Sequence, residues 1–305
     1  MKRIALQVIA FNVDTWINQM LVNASPHVDK IFLAYPDRPW NYNPEARLSL
    51  RNPTDLESIS FHDLPCDVEV VRGDWERDED TRNALLVRAR IQGYEWMVIQ
   101  DADEFYTEKS WHRLKSLMMN DEESDLLITP WFNFWKNPQY VISDINGSFK
   151  SLNEGFAIRA AKPDVRFTYS RTSNCKSRTV VDEPCYHYGY VVSDLKMRLK
   201  VKSWTHANDS LNISIWYRYK WVKWNESVRF LHPGNPTVWD RAIRFPLSQP
   251  SFAVEFMDIN STPPSRHGVL DYLVIFIWDR VCKAESLVRT VRSMLGVSLR
   301  RLLRK

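Results

Sequence analysis

Trp96-Met97-Val98-Ile99-Gln100-Asp101-Ala102-Asp103-Glu104-Phe105 is the stretch that decides how this chain reads. Four apolar residues and a glutamine pass without a turn residue into an acidic cluster. A short apolar run between two segments of helical spacing is a buried strand of an α/β sheet. Open α/β sheets bind their ligands just beyond the carboxyl ends of such strands. Two carboxylates at i and i+2 on one tight loop converge on a hard cation, and Mg2+ or Mn2+ held this way completes its shell with water and substrate phosphates. The expected ligand is therefore a metal-bound diphosphate. Asp-x-Asp by itself is often a solvated turn, so it is the position at a strand end that gives this one weight.

Upstream, Ile4 to Ala10 predicts a first strand and Asp14 to Asn23 a helix with Trp16, Ile17, Met20 and Leu21 on one face. Lys30 to Tyr35 predicts a second strand running into Pro36-Asp37-Arg38-Pro39, Val68 to Val71 a third, and Asp78 to Gln92 a helix carrying Leu85, Leu86 and Ala89. Trp40 to Leu64 has no steady period and reads as a long loop. Downstream come a helix over Ser110 to Met119, a strand over Asp125 to Thr129 and the aromatic segment Trp131-Phe132-Asn133-Phe134-Trp135. Alternating β and α elements predict an α/β fold: a mostly parallel sheet flanked by helices, its later half elaborated for a second substrate.

The 305 residues are 44% hydrophobic and 26% charged, ordinary for a globular chain, and a net charge of +4 calls for no nucleic-acid partner. The 13 Trp, 12 Tyr and 14 Phe exceed what a core needs, and part of this aromatic surface suits a sugar face. From Lys283 to Lys305, basic residues interleave with leucines and valines against the single acid Glu285, a pattern that fits a peripheral contact with an anionic membrane. Tyr272 to Trp278 is strongly apolar but well short of the roughly 20 residues of a membrane span, and reads as a docking helix. The opening run has no signal-peptide h-region, and Cys66, Cys175, Cys185 and Cys282 form no Cys-x-x-Cys pair. A cytoplasmic location, peripheral at the membrane through the tail, is expected.

The opening strand and helix, the second strand ending at Asp37, the helix with Arg82-Asn83, and the strand ending Gln100-Asp101-Ala102-Asp103-Glu104-Phe105 resemble the nucleotide-sugar half of family 2-like glycosyltransferases of the GT-A fold. Cys185-Tyr186-His187-Tyr188-Gly189-Tyr190-Val191, with the following Lys200, Trp204, His206 and Trp216-Tyr217, is similar to an uncharacterised subgroup of that family. The resemblance covers roughly residues 4 to 225. It implies a GT-A-like domain over 1–225, with the nucleotide-sugar half at about 1–130 and the acceptor half at about 131–225. Residues 226–305 would form a helical C-terminal extension.

It also implies roles. Asp37 would sit near the base or ribose of a nucleoside-diphosphate sugar, Arg82 at its phosphates, and Asp101 at the ribose or the metal. Asp103 would bind Mn2+ or Mg2+ directly, and His187 would be a later ligand to metal or diphosphate. The Gln-x-x-Arg-Trp motif of processive polysaccharide synthases is missing, which favours transfer of a single sugar to a glycan or glycoconjugate hydroxyl.

Inverting transfer also needs a carboxylate base. Glu154, Asp182, Glu183 and Asp194 are candidates; Glu154, beside Gly155, is preferred and Glu183, near His187, comes next. The alternatives are a glycoside hydrolase, whose two carboxylates must flank the scissile bond about 5 to 9.5 Å apart, a non-catalytic carbohydrate-binding protein, and a metal-dependent nucleotidyl or phosphoryl transferase.

Overall fold

The structure, a computed structural model, describes residues 2–150, 152–203, 213–232, 238–257, 259, 268–281 and 284. The chain opens with β1 (Ile4–Ile9), α1 (Ile17–Ala24), β2 (Lys30–Pro36), α2 (Pro44–Ser49), β3 (Asp67–Gly73), α3 (Asp78–Ile91) and β4 (Trp96–Ile99). It continues through β5 (Glu104–Phe105), α4 (Glu108–Asn120), β6 (Leu126–Trp135), β7 (Asn137–Ser143) and β8 (Leu152–Arg159). Then come β9 (Phe167–Tyr169), β10 (Thr172–Ser173), β11 (Arg178–Val180), β12 (Cys185–Tyr190), α5 (Asp194–Ser203), α6 (Ile213–Trp216), β13 (Arg241–Arg244) and a last helix, α7, over 269–281.

Local chemistry explains several boundaries. Asn43 caps α2 by accepting from the Ala46 amide, with Pro44 in the first turn, and Thr107 caps α4 through the Ser110 amide. Asp78, Glu79 and Asp80 lie in the first turn of α3 and Arg88 and Arg90 in its last, each sign at the end of the helix dipole that favours it. Gly93, at φ +78°, closes α3: its amide reaches Arg90 O and that of Tyr94 reaches Ala89 O, which turns the chain straight into β4.

The main sheet runs β13-β7-β6-β8-β4-β1-β2-β3. Its β4-β1-β2-β3 end is parallel, built from βαβ units, and beyond β4 the path β8-β6-β7-β13 is antiparallel. The expected α/β class thus holds, with the parallel ladder concentrated in the first half. β11 and β12 pair in parallel with the free side of β6, and β12 also pairs with β5.

Successive residues of β1 and β4 enter opposite cores. Leu6, Val8, Trp96 and Val98 face α1 and α4, whereas Ala5, Ile9, Met97 and Ile99 face Leu85, Leu86 and Ala89 of α3. A strand buried on both faces reads as an unbroken apolar run, which is why β4 stands out in the sequence.

One expectation needs correction. The strand expected to end at Thr129 continues through the aromatic segment as one ten-residue strand, because Trp131 to Trp135 find partners in β12 and β7. Past residue 225, β13 pairs with β7, and Ala242, Ala253 and Phe256 join the same buried cluster as β1. Trp204, His206 and the basic tail lie outside the described residues, apart from residue 284.

Candidate functional site

Beyond the ends of β1 and β4 lies a cavity of about 200 Å³. The turn after β1 supplies Phe11, Asn12 and Val13, and Trp16, just ahead of α1, also lines it. Arg82 comes from α3, Asp101 to Asp103 from the acidic loop, His187 from β12, and Lys196, Lys200 and Ser203 from α5.

Hydrogen bonds fix the acidic loop. The side-chain amide of Gln100 donates to Glu104 O at 2.7 Å, the Glu104 amide donates to Asp101 O, and the Tyr188 amide donates to Asp103 O at 2.7 Å. Register between β5 and β12 sets His187 opposite Glu104, and its ring reaches the neighbouring Asp103, with Nε2 3.6 Å from Oδ1.

Asp101 and Asp103 have different partners. Arg82 donates from Nη2 to both oxygens of Asp101, at 3.0 and 3.2 Å, and from Nε to Asp78 at 2.9 Å. Arg171, on the turn between β9 and β10, donates to Asp101 at 3.3 Å, pairs with Glu104, and also bonds Ile99 O and Gly155 O. An alternating chain results, open to solvent at Asp101: Asp78, Arg82, Asp101, Arg171, Glu104. Burial alone would raise the Asp101 carboxyl; Arg82 and Arg171 outweigh it and hold it below the usual range. Glu104 is fully buried, and there desolvation wins, pushing its pKa up to about 8.

Asp103 instead meets Lys200 Nζ at 3.3 Å and His187. Burial again acts upward, but Lys200 and His187 hold this carboxyl far below the ordinary value. Asn133 Oδ1 can only accept, so His187 Nδ1 donates to it at 2.6 Å, and Nε2 is the ring nitrogen that faces Asp103. A carboxylate oxygen and an imidazole nitrogen at this separation, the second ring nitrogen anchored by an amide, fit a divalent cation that draws its remaining ligands from water and phosphate. Ligand atoms of Asp103, Glu104 and His187 lie within 4.8 Å of one another, the one such group among the described residues. Gly189 keeps this space open, since a Cβ there would stand 2.5 Å from His187 Nε2 and 2.9 Å from Asp103 Oδ2.

Three buried polar atoms on the wall have no protein partner: Asn12 Oδ1, Trp16 Nε1 and Arg82 Nη1. Trp16 and Arg82 are each 3% exposed, so bulk water does not satisfy them. Asn12 also holds φ +59°, a left-handed conformation that asparagine adopts more readily than other side-chain-bearing residues.

The cavity brings together Arg82, Asp101, Asp103 and His187 of the residues singled out in the sequence. Glu154, on β8 opposite Thr129, is not part of its wall, but its charge neighbours are Arg171, His187 and Arg82, and burial raises its carboxyl above 4.5. Glu183 is turned elsewhere: it accepts from Ser110 Oγ at 2.7 Å and pairs with Arg113, both on α4. Asp37 follows directly on β2, but it is exposed and is not part of the cavity wall. Arg82 is no surface arginine, and it grips Asp101 before any phosphate. Arg171, Glu104 and Lys200 were assigned no role from the sequence.

No family model matches the chain, and no curated protein does either. Among solved structures, TarS of S. aureus aligns over 72% of this chain and 43% of its own length, at 11% identity and a TM-score of 0.37. The 4-diphosphocytidyl-2C-methyl-D-erythritol synthase of Anaerococcus prevotii aligns over 60% of this chain and 89% of its own, at 13% identity and a TM-score of 0.33. Scores at this level add no weight to a functional reading, which rests on the site itself. No described helix is long and apolar enough to cross a membrane.

Proposed function

We propose that this protein is a metal-dependent glycosyltransferase that moves a single sugar from a nucleoside-diphosphate sugar to a hydroxyl of a glycan or glycoconjugate, with inversion. One observation carries the reading: a carboxylate and an imidazole, Asp103 and His187, share a cavity with the unpartnered buried Nη1 of Arg82 and the ammonium of Lys200. Ligands with adjacent needs for a divalent cation and for fixed positive charge are diphosphates.

Asp103 Oδ1 and His187 Nε2 would hold Mn2+ or Mg2+, with Asp101 kept for structure by its two arginines. Bound there, the cation supplies Lewis-acid stabilisation of charge on the departing diphosphate. Arg82 Nη1 and Lys200 Nζ donate to phosphate oxygens, and Lys200 exchanges its contact with Asp103 for them. Trp16 Nε1 and Asn12 Oδ1 offer a donor and an acceptor to the nucleoside or sugar, and Phe11, Trp16 and Trp40 offer it flat walls. Glu154, made more basic by burial, takes the acceptor proton.

A thermal-shift panel of UDP, GDP, CDP, dTDP and CMP, each with and without Mn2+, tests this. A rise in Tm with one nucleoside diphosphate, dependent on metal, is expected and names the donor base. No rise with any of them would return the site to a hydrolytic or glycan-binding role.

A further inference from the structure

We propose that the outward face of α7 docks on an anionic lipid surface. This stands independently of the transferase reading.

The helix has two unlike faces. Val269, Leu270, Tyr272, Leu273, Phe276 and Ile277 are all more than half exposed. At 3.6 residues per turn they fall within a single arc of about 160°. The opposite side is fastened to the protein: Ile275 is 8% exposed, Asp271 pairs with Lys223 at 2.5 Å, and Asp279 pairs with Lys220, whose side chain is fully buried. Turning the apolar arc inward would break both ion pairs and take the carboxylate partner from a buried ammonium. The arc therefore stays outward, and an apolar face this continuous on a helix surface is an interaction site.

Charge identifies the occupant. The guanidinium of Arg280 lies 4.9 Å over the Phe276 ring, a cation at the rim of the apolar face, as at a membrane interface. From residue 283 to 305 the sequence has seven Lys and Arg against one acid, Glu285. An anionic bilayer attracts both the apolar arc and these cations. A second copy seated on the same face would bring two basic segments against each other.

The test is flotation of the full chain with vesicles of phosphatidylcholine containing about 30 mol% phosphatidylglycerol, and with phosphatidylcholine alone. The wild type should float with the anionic vesicles, and raising NaCl from about 0.1 M to about 0.5 M should release it. The double variant Leu273→Glu/Phe276→Glu should reduce partitioning at least about tenfold with Tm unchanged, because both side chains are already exposed. Arg300→Glu/Arg301→Glu should weaken binding to the anionic vesicles alone. Wild-type protein remaining at the bottom of the gradient would overturn the proposal, as would a Leu273→Glu/Phe276→Glu variant that floats as well as wild type. A concentration-dependent dimer in sedimentation equilibrium, dissolved by that variant, would replace the lipid with a second copy.

Discussion

At Gly189 an alanine would place its methyl within 3 Å of both His187 Nε2 and Asp103 Oδ2, and the atoms it meets are side-chain ends. They can turn aside, so Gly189→Ala should cost only about 1 kcal/mol of stability while spoiling the donor pair. Mn2+ affinity, followed by titration of its paramagnetic signal, should fall at least about tenfold; unchanged affinity would remove His187 from the ligands. Asp103→Ala should likewise abolish metal-dependent nucleotide binding in a folded protein, and near wild-type turnover would sink the metal assignment. Glu154 works as a base only when deprotonated, and its carboxyl is raised above 4.5. Turnover should therefore decline as pH falls through that raised value, with the acid limb above pH 4.5. Glu154→Gln should lower kcat by at least about 10²-fold and leave nucleotide affinity intact; a variant as fast as wild type would show that another group takes the proton.

Between elements, the chain Asp78, Arg82, Asp101, Arg171, Glu104 ties α3, the acidic loop and the β9–β10 turn together. Arg171→Met would leave Asp101 with Arg82 alone and the fully buried Glu104 without its guanidinium partner, and should cost about 3–5 kcal/mol in urea unfolding. Arg171→Lys should recover only part, because one ammonium cannot replace a fork that bonds two carboxylates and two carbonyls; full recovery would reduce Arg171 to a point charge.

This level also separates what the sequence revealed from what it did not. β4, α3, α4 and the acidic loop were legible because burial on both faces, helical period and clustered charge are local signals. Arg171 gave none: it arrives some 70 residues later on a two-residue link and matters only through where it lands. Glu104 was visible but its partner was not, so its role as an anchor went unread. Lys200 sits on α5, whose apolar spacing is weak, and β12 reaches the acidic loop only through non-local pairing with β5 and β6.

Over the whole molecule, two sets of acids pull the stability curve in opposite directions. For Asp101, Asp103, Asp121 and Asp125, hydrogen bonds and cations outweigh burial and depress the carboxyl below 3.8. Their contribution is complete above that value and is lost as pH falls through the folded-state values. Asp78, Glu104 and Glu154 are raised by burial, so the native state holds their protons more tightly than the unfolded chain does. Stability from these groups declines as pH rises, over a window reaching about 8 for Glu104. In EDTA, Tm should peak near about pH 4–5 and fall on both sides; a steady climb to pH 8 would mean that Glu104 stays ionised beside Arg171.

The pairing of β12 with β5 and β6 also sets an order of birth. A nascent chain made through Trp135 already carries Asp101, Asp103, Glu104 and Arg82, but Arg171, His187 and Lys200 have yet to be synthesised. Its acidic loop is a knot of like charges with a single counter-ion, unable to close. The centre exists only once translation has passed Lys200, so every shorter fragment on the ribosome is electrostatically unfinished, whatever part of its sheet has already formed.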